Sequence, residues 1–130
     1  MADREHLKEE EKMELIYNTY KKIMVVELFG ELDHHQAAKC RVDIDKAMEN
    51  YSSKDLVLDF SKITFMDSAG IGVILGRYRK ITEKGGNVVI ASCSRQVRNI
   101  LNLAGIFSII RYTDTKEDAI EYLDKNEEVS

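Results

Sequence analysis

The 130-residue chain has no proline, no tryptophan and only two cysteines. Cysteines 40 and 93 are too few and too far apart for a disulfide scaffold, and they suggest reduced thiols in a cytosolic protein. No segment is rich in Pro, Gly or Ser, so collagen-like and low-complexity classes are excluded. No apolar run approaches the length of a membrane span, and the first twelve residues lack the apolar stretch of a signal peptide. A soluble, cytoplasmic protein with no membrane contact is the expectation. There is no basic excess either. The formal net charge of −4 argues against a sequence-independent nucleic-acid binder, which must neutralise phosphates.

At 44% hydrophobic and 32% charged residues, the chain can build a core and stay soluble, and its length fits one domain. The charge is uneven. Residues 1–12 carry 3 basic and 5 acidic groups, and residues 113–130 carry 2 basic and 7 acidic, leaving 14 basic against 11 acidic on 13–112. The expected organisation is a charged tail over 1–13, one domain over 14–126 and a short tail over 127–130.

Strand and helix patterns alternate between the tails. Two strands, 14–20 and 23–29, join through a hairpin at Tyr20-Lys21-Lys22, and Gly30 ends the second. From His34 to Tyr51, Ala37, Cys40, Ile44, Ala47, Met48 and Tyr51 follow helical spacing. Residues 55–60 read as a buried strand running out into a short loop. A helix over 68–84 has an apolar face of Ile71, Ile74, Leu75, Tyr78 and Ile81, and Gly85-Gly86 stops it. Residues 87–91 form another buried strand. Ser94 caps a short helix closed by Gly105, residues 107–112 form a last strand, and Asp114 and Thr115 offer caps for a last helix. The order β-β-α-β-α-β-α-β-α calls for an α/β fold. Its sheet is mixed and mostly parallel, with about five strands, a hairpin at one edge and about four helices.

The most informative stretch runs from Val57 to Leu75. A buried strand leads through a loop to a helix that starts at Asp67-Ser68, where free N–H groups and the positive dipole end gather. A hydroxyl there can cap the helix or be presented to another protein. Gly70 and Gly72 each cost roughly 1 kcal/mol against alanine in a helix interior. Either something approaches this backbone closely, or the helix packs closely on the sheet.

Phe65-Met66-Asp67-Ser68-Ala69-Gly70-Ile71-Gly72-Val73-Ile74-Leu75-Gly76-Arg77-Tyr78 resembles the signature of the STAS-domain anti-sigma-factor antagonists. Gly30-Glu31-Leu32-Asp33-His34-His35 is similar to that family's loop after the second strand. Ala104-Gly105-Ile106-Phe107-Ser108-Ile109-Ile110-Arg111 resembles its late segment. Within the family the blocks look most like the sporulation branch, which acts on the sigma F pathway. The resemblance covers about residues 14–126 and implies a STAS-type single domain that is not an enzyme and carries no cofactor or metal. It implies that Ser68 is phosphorylated by the partner, an anti-sigma factor that is also an ATP-dependent serine kinase, and that a serine phosphatase reverses this. The helix led by Ser68 and the Gly30–Asp33 loop would form the docking surface, with Gly30, Glu31, Asp33, Asp67, Ala69, Gly70, Ile71, Gly72 and Arg77 as its contacts. Many sporulation relatives have a second serine where this chain has Ala69.

Other constellations carry less. Arg77, Arg79 and Lys80 read either as partner contacts or as a solvated face complementing the helix dipole. His34 and His35 are neighbours, which makes a poor metal pair and suits a helix entry better. Cys40 lies on an apolar helix face and reads as a buried thiol. Ser68 lacks the hydrolase nucleophile elbow, and Gly70-Ile71-Gly72 lacks both the third glycine of a dinucleotide fingerprint and the lysine of a P-loop. Asp59 and Asp67 would need a lysine and a paired acid at the right strand ends to make a receiver-type site, and the sequence shows none. The rival readings are a general-stress antagonist, a STAS subunit of a membrane lipid transporter, and a small phosphohydrolase or nucleotide-binding protein.

Overall fold

A computed structural model of the chain describes residues 13–129. The expected N-terminal tail lies outside these residues apart from Met13, which is buried in the core. The elements follow the predicted order: β1 (Glu14–Tyr20), β2 (Ile23–Leu32), α1 (Ala37–Asn50), β3 (Asp55–Met66), α2 (Ser68–Glu83), β4 (Val88–Ala91), α3 (Arg95–Leu103), β5 (Arg111–Thr113) and α4 (Lys116–Val129). The five strands form one sheet in the order β1-β2-β3-β4-β5. β1 pairs antiparallel to β2 and every other pair is parallel.

The period-2 alternation of the strands sorts the helices into two layers. Met24, Val26 and Leu28 of β2, Leu56, Leu58 and Phe60 of β3, and Val88 and Ile90 of β4 face α1, α2 and α3. Their odd-numbered neighbours Val25, Val57 and Val89 face α4, through Ala119 and Leu123. Three helices therefore cover one face and a single helix covers the other. The β1–β2 turn puts Lys21 at φ +54, and Lys21 Nζ reaches Asp124 of α4 at 2.8 Å.

Several expectations are corrected. β2 does not end at Gly30 but runs to Leu32, and β3 does not stop at Phe60 but runs to Met66, the two pairing as far as Leu32↔Met66 through two register shifts. Polar Ser61, Lys62 and Thr64 mimic a loop, yet they occupy the exposed side of a strand whose Ile63 and Met66 are buried. The strand expected over 107–112 is a single 3-10 turn, Ile106–Ser108, followed by β5. Gly105 at φ +78 starts that turn, and Ile106 and Ile110 are buried at helical spacing. A short apolar run cannot reveal this by periodicity alone. α1 starts at Ala37 and not at His34, because Asp33 builds a turn first. Its Oδ1 accepts from the N–H groups of His35 and Gln36. α4 continues to Val129.

Candidate functional site

The parallel ends of β2 and β3 bring the two recognised loops together. Glu31 pairs with Phe65 and Leu32 with Met66, so the chain leaves both strands at the same end of the sheet. Thr64 Oγ1 donates to Gly30 O at 3.2 Å, and the Asp67 N–H points to Leu32 O at 3.4 Å. Gly30 sits at φ +105, a conformation that favours glycine.

α2 begins there, and its cap is Asp67, not Ser68. Asp67 Oδ1 accepts from the N–H groups of Ala69 at 2.9 Å and Gly70 at 3.2 Å. Its second oxygen faces the other loop. Oδ2 accepts from the His34 N–H at 3.0 Å and lies 3.5 Å from His34 Nδ1. Partial desolvation works against ionisation of this carboxyl. Hydrogen bonds from Gly70, His34 and Ala69 outweigh it and hold the group below its usual range. With Asp67 capping the helix, Ser68 is exposed, and none of the described residues hydrogen-bonds to its hydroxyl.

The glycines separate into two kinds. A Cβ on Gly70 would collide with Leu32 O and come within 2.7 Å of Met66 Cγ, so Gly70 answers to packing of α2 on the strand ends. A Cβ on Gly72 or Gly76 would meet nothing within 4 Å. Ser68, Gly72, Leu75, Gly76 and Arg79 lie on one helix face by the i, i+4, i+7, i+8, i+11 rule. Leu75, expected in the core stripe, is 37% exposed on that face. Its apolar type gave no sign of this role. Ala69 and Ile71 are half-buried, while Glu31 and Gly72 are exposed.

Arg77 does not belong to this surface. It is 7% exposed, and its Nε lies 2.9 Å from Asp45 Oδ1 of α1. The pair is ionic without hydrogen-bond alignment, since Arg77 Nε and Nη1 have no hydrogen-bond partner. Lys80 Nζ reaches the other Asp45 oxygen at 3.3 Å. Arg77 is thus an interhelix strut, and its place in the recognised block hid that.

The structure also assembles the acids and lysine that the sequence did not reveal. Glu27 and Asp59 are register neighbours on the α4 face, and Lys116 Nζ meets Glu27 Oε1 at 2.5 Å. Asp59 is buried and accepts from the Ser61 N–H at 2.9 Å. The hydrogen bond and charge of Glu27 raise the Lys116 pKa, and this pair ties the start of α4 to β2. His34 and His35 stack at 3.9 Å, and no group of three or more metal-binding side chains occurs among the described residues. Both cysteines are free. Burial first, with Asp43 for Cys40 and Asp59 for Cys93, pushes their thiols up to about 12.

Residues 14–119 match the STAS domain family. The chain belongs to the STAS domain family. Within it, this STAS domain is 36% identical over 102 residues to an anti-sigma F factor antagonist of Paenibacillus polymyxa, covering 78% of this chain and 87% of the relative. It is 31% identical to an anti-sigma F factor antagonist of Lysinibacillus sphaericus, covering 64% and 71% of the two chains. Among solved structures it is similar to the anti-sigma factor antagonist SpoIIAA in its unphosphorylated form, with TM-score 0.68, 28% identity, and coverage of 85% of this chain and 98% of that one. In this STAS domain Ser68 and the Asp33–Gln36 turn lie together just past the ends of β2 and β3.

Proposed function

We propose that this protein is an anti-sigma-factor antagonist of the sporulation type. Its unphosphorylated form binds an anti-sigma factor that is also a serine kinase, and this binding frees the sigma factor. The kinase holds the ATP. The γ-phosphoryl group moves to Ser68 Oγ, its bond to the β-phosphate oxygen breaks, ADP leaves and the hydroxyl proton is lost. The phosphorylated form no longer binds, and a serine phosphatase restores it by hydrolysis. This chain supplies an acceptor and a surface, with no catalytic group of its own.

One observation carries the reading. Ser68 stands exposed at the first position of a helix that Asp67 already caps, so its hydroxyl has no structural task. The open backbone at Gly72 and Gly76 supports close approach along the same face. The surface is Ser68, Ala69, Ile71, Gly72 and Leu75 with Gly30, Glu31 and Asp33, and it leaves out the buried Gly70 and Arg77 and the capping Asp67. A phosphoryl group brings about −1.5 to −2 charges beside Asp67, and it repels and obstructs a partner seated there. The names of the two relatives favour the sigma F pathway over general stress. No helix among the described residues is long and apolar enough to cross a membrane, and a cytoplasmic site of action goes with this reading.

The test is incubation with the sporulation anti-sigma kinase and ATP. One phosphoryl group is expected, mapped to Ser68. Ser68→Ala should stay unmodified and bind constitutively, and Ser68→Asp should bind weakly. Normal phosphorylation of Ser68→Ala at another residue would overturn the assignment.

A further inference from the structure

Asp67 is the only described side chain that hydrogen-bonds to both halves of the candidate surface. One oxygen holds the start of α2 through Ala69 and Gly70, and the other holds the Asp33–Gln36 turn through the His34 N–H. Otherwise the two halves meet through the strand ends, at Thr64–Gly30 and Asp67–Leu32. Asp33 adds nothing to the join, because its carboxylate bonds within its own turn.

We infer that Asp67 is a positioning residue that locks the Asp33–Gln36 turn, which follows β2, in register with the Ser68 helix, so that the partner meets one preformed surface. The inference rests on the proposed function. It needs a carboxylate, because both oxygens must accept. An asparagine has a single acceptor oxygen. The helix offers two N–H donors and the loop one, so that oxygen stays with the helix. The amide N–H₂ then confronts the His34 N–H, donor against donor. Asp67→Asn therefore separates the lock from the cap, whereas Asp67→Ala removes both.

Two measurements on the full chain decide the matter. Amide hydrogen exchange comes first and needs no partner. In Asp67→Asn, the His34 amide is expected to exchange about tenfold faster, the loss of one hydrogen bond to a charged acceptor, while Ala69 and Gly70 keep their protection. An unchanged His34 amide would overturn the lock. Phosphorylation by the anti-sigma kinase comes second. Asp67→Asn should raise KM several-fold and leave kcat near that of the unaltered protein, since the acceptor hydroxyl is untouched. A faster His34 amide with unchanged KM would overturn the positioning role and leave Ser68 as acceptor. No phosphorylation of the unaltered protein would instead refute the proposed function, with the exchange result still deciding the lock.

Discussion

Gly70 and Gly72 stand two residues apart and answer to different demands. At Gly70 a methyl group would strike a strand carbonyl and Met66, and neither can retreat from the end of a paired strand. Gly70→Ala should destabilise the fold by about 1–3 kcal/mol, the cost of overpacking. At Gly72 the space is open, so Gly72→Ala should stabilise by about 1 kcal/mol through helix propensity while weakening partner binding. Denaturant unfolding of both variants checks the opposite signs, and a destabilised Gly72→Ala would refute the distinction. Asp67 adds a pH dependence. Its folded pKa is depressed, so its contribution is complete above its unfolded value, near 3.9, and is lost as pH falls through the lower folded value. The stability gap between the unaltered protein and Asp67→Ala should be wide at neutral pH and close in strong acid. A gap that widened below pH 4 would carry the wrong sign.

α1 and α2 are joined by Arg77 and Asp45, and this pair shows what the sequence could and could not reveal. Arg77 side-chain exposure is 8% and that of Asp45 is 25%. Asp45→Ala leaves a buried guanidinium uncompensated. The cost should be about 2–3 kcal/mol, below the full value for a buried pair because Asp45 still meets water. Arg77→Met keeps the volume and should cost less. It should also leave partner affinity unchanged, whereas a partner contact would lose affinity. Chemical denaturation and binding assays separate these outcomes. Sequence periodicity placed Ile74 and Ile81 inside correctly. It set Arg77 outside and Leu75 inside because a charge pattern does not show which helix lies across the ridge. The element order was legible because each helix carries its own apolar stripe and the buried strands are short and apolar. Failures fell where a segment's state depends on a neighbour. β3 is extended past Phe60 by its pairing with β2, and the apolar run after Gly105 is wound into a turn by two buried isoleucines. In the site, the Asp67 cap is local, to the N–H groups two and three residues on, and the helix start at Asp67-Ser68 announced it, whereas its contact with His34, 33 residues away, depends on tertiary placement.

In the whole molecule, Ser68, the proposed phosphoacceptor, lies beyond the end of the sheet where β2 and β3 finish, and both apolar cores are built from residues facing the helix layers. A dianion on Ser68 therefore lands outside the packing that sets stability. The chain already carries a net charge of −4, made of −2 and −5 on its two ends and +3 between them, so the added charge falls on a slightly basic body. The helix dipole favours an anion at this end by about 0.3–1 kcal/mol, while the adjacent Asp67 opposes it. The two effects should leave the unfolding free energy within about 1 kcal/mol of the unphosphorylated protein. Amide chemical-shift changes on phosphorylation should be confined to residues 30–36 and 65–76, with the shifts of β4, β5 and α4 unmoved. Changes spread over the sheet, or a loss of cooperative unfolding, would mean that the switch acts by refolding. If the changes stay confined, the phosphoryl group acts where it sits. The partner is then rejected by local charge and bulk, on a scaffold rigid enough to present both states of Ser68 in one place.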